Sequence, residues 1–114
     1  MNKPLLKSEQ QTHAAVTARK VLLSGQVQGV GFRPFIYRLA TEHHLTGWVR
    51  NCVGVVEVHV QGLTPDLDDF LSDIFTRKPP LAVPELESIH PCDPGDYTAF
   101  NILHSVNNGE ARIS

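Results

Sequence analysis

The chain predicts an α+β sandwich of the ferredoxin-like kind: two helices on one face of a mainly antiparallel sheet. Three observations carry this. Two stretches place apolar residues at helical spacing, and several short runs between them alternate with period two or are continuously apolar. Glycine and proline clusters punctuate the boundaries. The order is β-α-β-β-α-β with one extra C-terminal strand, and two helices on one sheet face bury both helical stripes economically. The split β-α-β connections are expected to be right-handed.

Arg19 to Gln26 reads as the first strand, with Val21 and Leu23 on one face and Lys20, Leu22 and Ser24 on the other. Gly25-Gln26-Val27-Gln28-Gly29-Val30-Gly31-Phe32-Arg33-Pro34-Phe35 follows. From Pro34 to about His44, Phe35, Ile36, Leu39, Ala40 and His43 form one stripe, with Gly47 as the expected stop. Trp48 to Cys52 reads as a second strand. It is paired as a hairpin through Cys52 to Gly54 with a third, Val53 to Gln61, where Val56, Val58 and Val60 alternate against Glu57, His59 and Gln61.

Thr64-Pro65-Asp66 reads as a helix start, with the Thr64 hydroxyl as cap. Leu67, Phe70, Leu71, Ile74 and Phe75 then give the strongest periodic signal, read as core. Arg77 and Lys78 suit the negative helix end, and Pro79-Pro80 stop it. Leu81 to Pro84 reads as a linker. Glu85 to His90 reads as a strand with a bulge, because Leu86 and Ile89 are three apart. Pro91 to Gly95 is turn-like, and Ala99 to Leu103 is a last strand with Phe100 and Ile102 inward. Residues 1–18 and 106–114 read as tails around a domain over 19–105.

At 114 residues the chain suits one core, and its 41% hydrophobic content is ordinary. The polar N-terminus lacks the apolar segment of a secretory signal, so the cytoplasm is the expected location. A formal net charge of −2 speaks against nucleic acid, and no apolar run is long enough to span a membrane. Cys52 and Cys92 lack CxxC spacing and read as reduced thiols. His13, His43, His44, His59, His90 and His104 show no ligand pattern, so no metal site is expected. Glu57 and His59 share a strand face without a nearby nucleophile, and no catalytic role is assigned to them.

The glycine-rich stretch carries the chemistry. A strand, a turn with Gly29 and Gly31, and a helix N-terminus converge N–H groups on an anion, and the helix dipole favours negative charge there. Pro34 fits a first helical turn. Arg33 lies at the positive dipole end, which is unfavourable for a cation unless a bound phosphate takes the amides and the guanidinium together. From glycine spacing alone, a strand-to-helix turn with a solvated arginine is an equal alternative. Asn51 alone reads as a hairpin-turn asparagine.

Val27-Gln28-Gly29-Val30-Gly31-Phe32-Arg33 resembles the substrate loop of acylphosphatases, and Gly47-Trp48-Val49-Arg50-Asn51 resembles that family's second signature at the family's spacing. The extension Arg33-Pro34-Phe35 is similar to the N-terminal acylphosphatase-like domain of hydrogenase maturation carbamoyltransferases, the HypF family. The resemblance covers roughly residues 19–105 and departs from the acylphosphatase pattern after Asn51. Two residues, not three, precede the turn glycine, and Val55 stands in the glycine's place.

The resemblance implies hydrolysis of an acyl phosphate, with Arg33 and the amides of Gln28, Gly29, Val30, Gly31 and Phe32 holding the phosphoryl group and Asn51 orienting water. It implies carbamoyl phosphate as substrate, and other domains of one polypeptide and hydrogenase maturation proteins as partners. Zinc and ATP are implied only for the family's downstream domains, and no cofactor for this one. A fragment of a larger protein is therefore expected. The alternatives are a free-standing general acylphosphatase and a non-catalytic module that captures phosphate or, less in keeping with the charge, RNA through Trp48.

Overall fold

The inner face of the sheet follows from alternation along its strands. Residues 15–104 are described by a computed structural model. Seven elements lie among them: β1 (Thr17–Gln26), α1 (Phe32–Glu42), β2 (Thr46–Cys52), β3 (Val55–Gly62), α2 (Thr64–Thr76), β4 (Val83–Cys92) and β5 (Phe100–Ile102). They build one sheet in the order β4-β1-β3-β2-β5. Neighbouring strands are antiparallel except β2 and β5, which run parallel. The expected sandwich and its extra strand are both present. Of the tails read from the sequence, residues 1–14 and 106–114 lie outside the described residues, and Thr17 and Ala18 already belong to β1.

Val21, Leu23, Val49, Val56, Val58 and Val60 project toward the helices and join Ile36, Leu39, Leu67, Phe70 and Ile74 in one fully buried cluster. Such burial is the main favourable term in a domain of this size, about 1.5–3 kcal/mol for each large side chain. Two apolar positions read as core lie outside it: Phe75 and Ile102 are exposed. Phe75 stands at the margin of the α2 stripe, and Ile102 ends a three-residue edge strand. Conversely, His59 and Gln61, on the face opposite the helices, are only 7% and 6% exposed. Residues 93–99 fold over them, as described below.

Helix boundaries differ from the sequence reading in instructive ways. Helix α1 begins at Phe32, so Pro34 is its third residue, still within the first turn. It ends at Glu42, not at Gly47. His44 takes a left-handed φ of 62°, its N–H donates to Thr41 O at 3.0 Å, and Leu45 N–H donates to Ala40 O at 2.9 Å. This is a Schellman ending with histidine in the place glycine usually holds.

Gly47 serves β2 instead. Its φ is +132°, and a Cβ there would stand 2.0 Å from the His59 carbonyl oxygen. In α2 the cap position is Leu63, with no side-chain cap. The Thr64 hydroxyl lies 3.3 Å from that of Thr17 and so ties α2 to the start of β1. The bulge expected in β4 is present: Leu22 faces Ser88 and Leu23 faces Leu86, leaving Glu87 unpaired. Glu87 accepts a hydrogen bond from Ser24.

The C-terminal ends of the two helices are joined by charge. Arg77 donates to both Glu42 oxygens, at 2.8 and 3.2 Å, and His43 Nε2 lies 2.8 Å from Asp73 Oδ2. The Arg77 bond holds the Glu42 carboxyl below its usual range, and His43, then Arg77, does the same for Asp73. A depressed carboxylate stabilises the fold above its unfolded-state pKa and loses that contribution as pH falls through its folded value. Thermal stability will therefore fall on acidification through and below the ordinary carboxylate range. Glu42→Gln will show a shallower fall, and added salt will flatten the wild-type profile because the pair is exposed. Gly47→Ala will lose at least about 2 kcal/mol in urea unfolding, since both its φ and the His59 carbonyl oppose a side chain.

Candidate active site

The glycine loop is held at both ends by core side chains. Val27 is buried where the chain leaves β1, and Phe32 is buried where α1 begins, its ring 5.8 Å from that of Phe35. Between them Gly29 and Gly31 take φ of 76° and 75°, and a Cβ at either would meet nothing within 4 Å. Positive φ, not lack of room, is what requires glycine here, and the outer side of the loop is open. Gly31 is the N-cap of α1 and offers no side chain to the first N–H groups. The first turn holds no acid, and Arg33 sits in it, half-buried. Among the described residues no ion pair involves Arg33. The helix dipole and the open amides thus favour negative charge at this end, and Arg33 stands in the same turn.

Sheet register locates Asn51 relative to that spot. Leu23 of β1 faces Val56 of β3, and Val56 faces Asn51 of β2, so the three form one row across the sheet. Leu23 and Val56 are inner-face residues, and Asn51 shares their side because it is two residues from buried Val49. That row lies at the end of β1 that enters the loop, on the face that carries α1. Gln28 closes the connection: its Nε2 donates to Val55 O at 3.3 Å, and Val55 pairs with Cys52, the neighbour of Asn51. Loop, helix start and Asn51 therefore share one end and one face of the molecule. Asn51 Oδ1 is buried and finds no hydrogen-bond donor among the described residues. An unmet buried acceptor costs about 1–3 kcal/mol, which a bound donor such as water recovers.

The shortened turn after Asn51 is a two-residue loop, Val53-Gly54, with Gly54 at φ 75°. Cys52 pairs with Val55 and Asn51 with Val56, so Asn51 lies within the β2–β3 ladder and not in the turn. The acylphosphatase family model matches residues 19–102.

The chain belongs to the acylphosphatase family.

Its relatives are of two lengths. The chain is 43% identical over 94 residues to a probable carbamoyltransferase HypF of Methanocaldococcus jannaschii, covering 77% of this chain but 12% of that protein. It is 38% identical over 86 residues to an acylphosphatase of Bacillus licheniformis, covering 75% of this chain and 96% of that protein. A solved full-length HypF in a phosphate- and nucleotide-bound form matches with a TM-score of 0.79 and 32% identity, over 83% of this chain and 13% of that one. The acylphosphatase of Bacillus subtilis matches with a TM-score of 0.67 and 27% identity, over 76% and 98% respectively. The chain thus spans about an eighth of the HypF relatives.

For this acylphosphatase domain the structure adds residues that the sequence reading assigned otherwise. Gln28 was expected to offer only its amide, yet its side chain braces the hairpin. Gln26 braces the opposite side, donating to Leu81 O at 2.9 Å. Phe32 brings its amide to the loop while its ring is core. Trp48 is not a free aromatic platform: its Nε1 donates to Tyr97 Oη at 3.0 Å, and Arg50 lies 4.9 Å over its ring. Glu57 pairs with Arg50 and Lys20, not with His59. Among the described residues no three His, Cys, Asp or Glu side chains come together as a metal site, and no helix is long and apolar enough to cross a membrane.

If the loop binds an anion, inorganic phosphate will raise the melting temperature of the wild type with a logarithmic dose dependence. Arg33→Ala will lose most of that protection while keeping its phosphate-free stability, because Arg33 has no carboxylate partner among the described residues. Equal protection of both proteins would remove Arg33 from the anion site.

Proposed function

We propose that this domain hydrolyses acyl phosphates, with carbamoyl phosphate as its substrate, as the first domain of a carbamoyltransferase that serves nickel–iron hydrogenase maturation. The observation that carries the reading is the buried Asn51 Oδ1, without a donor among the described residues, at the same end and face as a glycine loop and the turn that holds Arg33. Similarity to HypF proteins supports the larger assembly. The Arg33-Pro34-Phe35 extension favours it further.

The chemistry asks for two things. The phosphoryl group must be held as charge gathers on its oxygens, and a water must be aimed at phosphorus opposite the leaving carboxylate. Arg33, as a bidentate donor, and the amides of Gln28 to Phe32 supply the first. Asn51 supplies the second: its Oδ1 accepts from the attacking water and its Nδ2 can donate to a phosphoryl oxygen, so it orients without acting as a base. Water oxygen bonds to phosphorus, the bond from phosphorus to the acyl oxygen breaks, and the carboxylate or carbamate leaves. The water's proton passes to phosphate or solvent. Acyl phosphates are reactive, so positioning and electrostatic stabilisation account for the rate.

A second reading is a free-standing general acylphosphatase, favoured by coverage of 96% of the Bacillus licheniformis enzyme. Relative turnover of carbamoyl phosphate and an aromatic acyl phosphate distinguishes the two. Arg33→Ala and Asn51→Ala will each lower kcat/KM by roughly 10²–10³-fold, about 3–4 kcal/mol of barrier, by analogy with loss of one oxyanion donor. Phosphate release at equal rates by wild type and both variants would end the enzymatic reading. Phosphate protection of wild type alone would then leave a binding module.

A further inference from the structure

Away from the loop, the sheet face opposite the helices carries a second constellation. Residues 93–99 fold over it, and Gln61 pairs with Gly95 in both directions. Gln61 Nε2 donates to Gly95 O at 2.9 Å, and Gly95 N–H donates to Gln61 Oε1 at 2.8 Å. That pairing sets which end of the carboxamide is oxygen. The same Oε1 lies 3.0 Å from His59 Nε2. Since the oxygen can only accept, His59 Nε2 carries the proton, and in the neutral ring Nδ1 is a bare acceptor. Nδ1 faces Cys92 Sγ at 3.7 Å.

The rest of the neighbourhood locks the ring. Trp48 stacks on His59 at 5.9 Å and 20°, and Tyr97 packs at 5.1 Å. Cys92 stands on β4 and His59 on β3, with β1 between them. The contact spans that strand because Ala18, paired with both Cys92 and Gln61, is small. Cys92 is a free, half-buried thiol. Nucleophile, base and an orienting third group are in the relation that activates a sulfur. The other free cysteine, Cys52, has no imidazole partner among the described hydrogen bonds.

We propose that Cys92 is a modification site at which His59 is the base and Gln61 the positioning residue, the reactant being a low-molecular-weight disulfide. In the exchange the Cys92 sulfur bonds to one sulfur of the reactant and the reactant's S–S bond breaks. The thiol proton passes to His59 Nδ1 and then to the departing thiolate. Cys92 is oxidised to a mixed disulfide as the reactant is reduced to one thiol. This site is at the N-terminal end of β1, whereas the glycine loop leaves its C-terminal end, so the proposal stands apart from acyl phosphate hydrolysis.

The test compares each cysteine with itself. Wild-type protein, folded and in urea at one pH, is treated with an aromatic disulfide reagent, and labelling of Cys92 and Cys52 is followed by peptide mass spectrometry. Folding should accelerate Cys92 by about tenfold or more, as expected of general-base assistance, and slow or leave unchanged Cys52. His59→Gln and Gln61→Leu, checked for folding by circular dichroism, should each remove the acceleration. Folded Cys92 reacting no faster than unfolded Cys92 would overturn the proposal, whether or not either variant folds. Undiminished acceleration in a folded His59→Gln protein would overturn it too.

Discussion

Two buried side chains, Val27 and Phe32, impose the constraint on which the candidate site depends. They pin a six-residue span whose ends are core and whose middle must turn at positive φ through Gly29 and Gly31. The hydrophobic core therefore pre-sets the amides before any ligand arrives. A flexible loop would have to order on binding, with a loss of roughly 1–2 kcal/mol for each backbone residue fixed. Anchoring moves that cost into folding, where burial of the two anchors offsets it. Preorganised donors of this kind stabilise developing charge without reorganising.

The sheet transmits this order to Asn51. Backbone pairing places Leu23, Val56 and Asn51 in one row, and the fully buried inner positions of β3, Val56, Val58 and Val60, are all valine. A one-residue slip of β2 would turn Asn51 to the outer face and bury Arg50 instead. Gly47 guards against other adjustments by letting β2 approach the His59 carbonyl closely. Asn51 is thus located by register rather than by its own hydrogen bonds, which leaves its buried oxygen available. The protein tolerates that local cost because the strand cannot move to relieve it.

Much of this was legible because it rests on short-range rules. The alternation of Val56, Val58 and Val60, the stripe Leu67, Phe70 and Ile74, and the spacing break that marks the β4 bulge are all visible in the chain. So were the loop, Arg33 and Asn51, as two motifs at fixed separation. What escaped depends on contacts distant in sequence. Gly47 looks like a helix stop until the His59 carbonyl is beside it, and His44, with no glycine to advertise it, ends α1. His59 and Gln61 alternate as outward polar residues, and no local pattern announces that residues 93–99 return to cover them. The Thr64 hydroxyl reads as a cap because its pairing with Thr17 lies 47 positions away in the chain.

A chain of formal net charge −2 can still leave one helix N-terminus free of acids, because its charges are not spread evenly. Glu57 is neutralised between Lys20 and Arg50, Glu42 and Asp73 share Arg77, and Asp68 pairs with Arg19. These pairs lie on the outer sheet face, between the helix ends and along α2. None stands in the first turn of α1, where an acid would otherwise complement the dipole and cap the amides. Leaving that turn free of acids costs α1 some stability and keeps its N-terminus open to an anion from outside. Arg33 adds repulsion to the same end in the free protein. The stability withheld from the helix is thereby available to whatever negative group binds there, so the weakness of the free helix start and its openness to an anion have one physical origin.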